Sequence, residues 1–138
     1  MRLWHKDLIP YLPRQQLLGQ WRECCAIARN ISTNGTPNHV LVNKVMDYPV
    51  RHFWSYGHMI YDELKERGYM CDWRRFSIWF THLPDEDLMF VFPLELFPDW
   101  HNDRYLKQCL MNLQEKADCG AIPAEEWKKI TDRWQEMK

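Results

Sequence analysis

The chain lacks the glycine-rich loops that cradle nucleotide phosphates. Neither G-x-x-x-x-G-K-[ST] nor G-x-G-x-x-G occurs among its 138 residues. Nucleotide-cofactor chemistry has little support on that ground, and no cofactor is expected. The five cysteines (Cys24, Cys25, Cys71, Cys109 and Cys119) are odd in number and never spaced C-x-x-C. They read as reduced thiols, outside any disulfide framework or zinc knuckle. The six histidines show neither H-x-x-x-H nor H-E-x-x-H spacing, so only histidines distant in sequence could assemble a metal site, and none is expected. No apolar run approaches the length of a bilayer span, and Lys6, Asp7 and Pro10 interrupt any signal-peptide pattern. A cytoplasmic protein without a membrane partner is the simplest expectation. The formal net charge of −1 argues against a strongly basic nucleic-acid binder.

What is present is a core. A hydrophobic fraction of 46% with eight tryptophans excludes disorder as the default state. The length suits one domain covering residues 1–138, and a monomer is expected. Charge is unevenly spread: residues 1–77 carry a balance of +4 and residues 78–138 a balance of −5. A locally basic first half can present a positive face to phosphates while the acidic half faces elsewhere.

Read in order, residues 1–12 form an arm without clear periodicity. Pro13 opens a first helix running to about Asn30, which the turn formers Ser32 to Asn38 then end. A connector containing Lys44 leads to a second helix, N-capped by Asp47 and stopped by Gly68, with Phe53, Gly57, Ile60 and Leu64 inward. Glu63, Lys65, Glu66 and Arg67 are expected on its exposed side. Trp73, Phe76, Trp79 and Phe80 suit a short amphipathic helix, and Leu88 to Phe92 a strand or extended core segment. Helical spacing returns from Asp99 to Lys116 and again from Pro123 to Met137. The fold class that follows is mainly α, three to five helices with irregular connections.

The first helix carries the chemistry. Leu17, Leu18, Trp21, Cys24, Cys25 and Ala28 form its apolar stripe, and Arg22 and Glu23 fall on the opposite side, flanked by the small Gly19 and Ala26. A carboxylate beside a guanidinium, bordered by small side chains, admits a bulky ligand close to the helix. The same residues also fit an ordinary solvated charge pair.

The opening of the chain, through Leu-Leu-Gly-Gln-Trp-Arg-Glu ending at Glu23, resembles the pyrimidine-dimer DNA glycosylases of the phage endonuclease V type. Glu66-Arg67-Gly68-Tyr69 resembles the end of that family's second helix, and Glu115-Lys116 a Glu-Lys step on its third. The resemblance implies an all-α fold, damaged double-stranded DNA as the partner, and base removal with associated AP lyase activity. It implies an N-terminal α-amine as nucleophile and Glu23 as the acid/base group beside it. Arg22, Arg2 and Lys116 are implied as DNA-binding residues. An α-amine, with a reference pKa of about 7.7–8.0, keeps a useful neutral fraction near pH 7, which a lysine at about 10.4 does not.

This chain departs from the pattern in ways that shape the expectation. Position 2 is Arg2, behind which the initiator is not expected to be removed, so the implied nucleophile is the amine of Met1 itself. Leu3 stands where the family carries an arginine, and Arg2 takes that part only if the arm shifts by one residue. Two further family arginines fall at Ala26 and Asn112, which implies weaker and less salt-sensitive DNA binding. Lys6 is the competing amine, and needs burial or a cationic neighbour, His5 or Arg2, to act near neutrality. The alternative function is a non-catalytic helical module that binds nucleic acid or protein on the same fold.

Overall fold

The computed structural model describes residues 1–138 and contains five α-helices joined by 3-10 turns, with no strand. They are α1 (Arg14–Asn34), α2 (Val50–Glu66), α3 (Arg74–Ser77), α4 (Asp103–Asp118) and α5 (Ala124–Arg133). The mainly α expectation holds. No helix is long and apolar enough to cross a membrane.

The N-terminal arm is core, which its sequence did not show. Leu3, Leu8, Ile9 and Leu12 are almost wholly buried around a 3-10 helix, Lys6–Tyr11, that has Pro10 inside it. A three-residue period interrupted by proline leaves neither helical nor strand periodicity to read. Elements distant in sequence hold the arm. The Tyr105 hydroxyl donates to the Leu3 carbonyl at 2.6 Å. The Arg67 guanidinium donates to the carbonyls of Leu12 at 2.8 Å and Pro10 at 3.2 Å. Arg67 also pairs with Glu63 at 2.8 Å, so these two residues are half-buried, against the expectation that they are exposed.

Helix α1 buries Leu17, Gln20, Trp21, Cys24, Ile27 and Ala28 along one stripe. Its N-terminus has no side-chain cap of its own, and Glu126 of α5 accepts from the Arg14 amide at 2.8 Å. This satisfies one of the orphan donors that every helix start exposes. The helix passes the expected stop at Asn30 and ends only at Gly35. Thr33 bonds back to the Arg29 carbonyl at 2.8 Å, so its hydroxyl does not compete for the chain. The left-handed turn that closes the helix needs φ = +77°, which glycine adopts without strain.

Helix α2 crosses α1 and begins at Val50, with Pro49 rather than Asp47 at its cap position. Asp47 closes a separate 3-10 turn, Asn43–Asp47. Gly57 lies under the ring of Phe76 from α3, where any Cβ would collide with the ring. Burying a side chain such as Phe76 contributes about 1.5–3 kcal/mol, so this approach of α3 to α2 matters for stability. Leu88 ends a 3-10 turn, Asp85–Leu88, and residues 89–92 are extended without a partner strand; only Val91 is buried, while Met89, Phe90 and Phe92 are exposed. Helix α4 starts later than the spacing suggested, because the Asn102 side chain caps the Tyr105 amide at 2.9 Å. The last helical stretch breaks at Trp134, whose backbone leaves the helical region. One hydrophobic cluster runs from Leu3 to Met137 through all of these elements.

Candidate active site

Gln20 joins the arm to α1 and builds the site around it. Its side chain is 1% exposed, and both ends are satisfied. The amide oxygen accepts from the Trp4 backbone N–H at 2.7 Å and lies 2.9 Å from the Tyr56 hydroxyl. That hydroxyl is also 2.6 Å from the Trp4 carbonyl, so its single proton is shared between two acceptors. The Gln20 amide nitrogen donates to the Arg2 carbonyl at 2.9 Å and to Glu23 Oε2 at 3.1 Å. A residue one turn before Glu23 on the same helix face therefore fixes residues 2 to 4 against the carboxylate. The Tyr56 hydroxyl, fully buried, is held well above its ordinary pKa by burial and stays protonated as the donor this network needs.

Glu23 is half-buried. Burial pushes its carboxyl above the ordinary value. The opposing influences are, in decreasing order, the Met1 α-amine, His39, the Arg2 backbone amide and Arg22. The terminal amine is thus the strongest positive neighbour of this carboxylate, and Met1 is itself exposed. A carboxylate with a raised pKa next to an accessible amine can pass protons to and from chemistry at that amine.

The other sequence candidates fall in different places. Arg22 is exposed on α1 and lines an open groove of about 640 Å³ against α3. The Arg2 guanidinium lies over the Trp4 ring, 5.4 Å from its centroid, and 3.9 Å from Cys109 Sγ. It borders a groove of about 610 Å³ shared with Lys44, Asn102 and Arg104. Lys116 is half-buried in the last turn of α4 and lines neither of these grooves. The Lys6 ammonium donates to the carbonyls of Leu96 at 2.8 Å and Leu94 at 3.2 Å. Burial lowers its pKa, opposed by Asp7.

Several residues around the site carry a weak sequence signal or none. Gln20 carried a local signal, three positions before Glu23 on one helix. Arg29 did too, seven positions after Arg22 on the same face of α1. His39, Tyr56, Arg74 and Arg75 carried none, since only the packing of separate elements brings them near α1. His39 accepts from the Leu41 amide through Nδ1 at 3.3 Å, which in the neutral ring leaves the proton on Nε2.

The family model described as pyrimidine dimer DNA glycosylase matches residues 1–75. That span contains the arm, α1, α2 and the whole Met1–Gln20–Glu23 arrangement. Neither the curated proteins nor the solved structures include a match to this chain. With more than half of its length matched, and with an all-α fold that buries the matched arm in its core, the chain belongs to the pyrimidine dimer DNA glycosylase family.

Proposed function

We propose that this protein is a DNA-repair glycosylase with associated AP lyase activity, acting as a monomer on pyrimidine-dimer or related damaged bases in double-stranded DNA. The reading rests on the Met1 terminal amine as the strongest positive influence on Glu23, with Gln20 donating both to Glu23 and to the Arg2 carbonyl next to that terminus.

The neutral Met1 nitrogen attacks C1′ of the damaged nucleotide. The C1′–N glycosidic bond breaks, and its electron pair leaves with the base, which takes up a proton. Opening of the C1′–O4′ bond then gives a protonated imine between the nitrogen and C1′, with O4′ receiving a proton. Glu23, its pKa raised by burial, accepts the proton shed by nitrogen and returns one to O4′. As a carboxylate it also stabilises the cationic imine. Loss of the C2′ proton, made acidic by the imine, expels the 3′-phosphate and cuts the strand. Water then hydrolyses the imine and frees the amine. Arg22 supplies a planar fork for a phosphate flanking the lesion, and Arg2 and Lys116 add positive charge along the duplex.

Lys6 is the weaker nucleophile because its Nζ is tied to two carbonyls. The test is borohydride reduction of the protein mixed with abasic-site duplex, read by intact mass and peptide mapping. A covalent adduct is expected on Met1, absent after N-terminal acetylation or extension and retained in Lys6→Ala. An adduct lost only in Lys6→Ala moves the nucleophile to Lys6. Trapping that survives both changes removes the terminal-amine mechanism. No adduct at all leaves the non-catalytic binding module.

A further inference from the structure

We propose that Arg29, Arg74 and Arg75 join Arg22 in the groove between α1 and α3, and that this groove grips the phosphate backbone of duplex DNA outside the damaged nucleotide. Its assignment to a repair substrate rests on the glycosylase reading. The grip itself is a property of the groove.

Four guanidinium groups face one open groove of about 640 Å³. All four residues are exposed, and none of their side chains takes part in an ion pair or a hydrogen bond within the protein. Arg67, tied to Glu63 and to carbonyls of the arm, shows how this chain treats an arginine used for structure. The one acid in the groove, Asp72, has its carboxylate on the Arg74 backbone amide at 3.0 Å. It also accepts the Arg75 amide through its own carbonyl at 3.1 Å. Asp72 therefore shapes the turn that presents both arginines, and the groove keeps an excess of positive charge. The groove beside Arg2 and Arg104 that holds Glu115 and Glu136 is more nearly balanced.

The layout fits a chain of phosphates better than a single small anion. Arg22 and Arg29 are seven residues apart on one face of α1, about 10 Å along the helix, which is the axial rise of about three nucleotide steps on one strand of B-DNA. Ala26 lies between them and lets a backbone approach the helix. Arg75 reaches across to α1 near Cys25, where it is the main influence opposing the burial that pushes that thiol up to about 11. Like charges gathered this way hold counterions, whose release on binding a polyanion favours association. Planar guanidinium forks suit phosphate oxygens.

The experiment is a salt titration of binding to an undamaged duplex oligonucleotide by fluorescence anisotropy. It compares wild type with the Arg29→Ala/Arg74→Ala/Arg75→Ala triple variant and with the matching triple Arg→Lys variant. Each lost phosphate contact lowers the slope of log K against log salt by about 0.9. Between about 50 and about 200 mM salt, wild type should therefore lose about 40-fold more affinity than the alanine variant. The lysine variant should keep the wild-type slope, because it keeps the charge, and so shows that the effect is electrostatic rather than a loss of fold. An alanine variant with the wild-type slope overturns the proposal. So does a lysine variant that loses the slope, or tighter binding of wild type to a single strand than to duplex. Borohydride trapping on abasic duplex separates the two readings. Trapping with an unchanged slope sinks the groove alone, and a reduced slope without trapping sinks the glycosylase reading alone.

Discussion

Gln20 and Glu23, one turn apart on α1, share a hydrogen bond of 3.1 Å, and the same Gln20 nitrogen holds the Arg2 carbonyl at 2.9 Å. A single buried amide thus ties the start of the chain to the carboxylate beside it. Replacing it by leucine leaves the Trp4 N–H and the Arg2 carbonyl without their partner. Gln20→Leu should cost about 2–4 kcal/mol of stability in urea titrations. Gln20→Glu keeps the shape but sets a second carboxylate against Glu23, so the pH midpoint of adduct formation should move upward. An unchanged pH profile in Gln20→Glu would make Gln20 a purely structural bond.

Glu23→Gln should abolish base release and strand cleavage while leaving duplex affinity within a few-fold. The substitution removes the acid/base function and keeps the size and the hydrogen bond to Gln20. Gel assays on dimer-containing duplex, run beside anisotropy on the same DNA, separate the two effects. Full cleavage by the variant would take Glu23 out of the mechanism.

The raised pKa of Glu23 has a consequence for stability. The folded protein binds a proton here more tightly than the unfolded chain does, so stability falls as pH rises from the ordinary value of 4.5 through the folded pKa. Above that window the full cost of burying the charge is present, and below it the cost disappears. Glu23→Gln, which carries no charge, should gain thermal midpoint relative to wild type near neutrality and lose that advantage in acid. Midpoints that stay parallel from about pH 4 to about pH 8 would show that the carboxyl is not strained.

Arg67 is expected to matter for folding and not for DNA. Arg67→Ala removes a fork that pairs with Glu63 and holds the arm carbonyls of Ile9, Pro10 and Leu12, at a cost of about 2–4 kcal/mol. Arg67→Lys should recover little, since an ammonium cannot reach the same acceptors together. Chemical denaturation and duplex-binding curves measure both. A salt slope that falls in Arg67→Ala would place this residue on the DNA face.

How much of this was legible follows from where each signal resides. Helices α1, α2, α4 and α5 announce themselves because amphipathic spacing is a property of consecutive residues. Their ends were less visible. Asp47 looked like a cap but closes a separate turn, and α1 ran on to Gly35 because only there does the backbone take a positive φ. Apolar residues 88–92 suit a strand or an extended core segment, yet Leu88 closes a 3-10 turn, no strand pairs with the extended residues 89–92, and only Val91, whose amide donates to Ser55 Oγ, is buried.

Local sequence is enough to specify a mainly α chain and to set Arg22 and Glu23 as neighbours on the polar side of the first helix. Packing between distant segments makes the arm part of the core, half-buries Arg67, ties Lys6 to the carbonyls of Leu94 and Leu96, and leaves the Met1 amine as the strongest positive influence on Glu23. It alone gathered Arg74 and Arg75 against Arg22 and Arg29. The physical reason is range. Helix periodicity and a charge pair are set by residues within one or two turns, whereas a buried amide, a terminal amine or a basic groove exists only when segments far apart in the chain pack together.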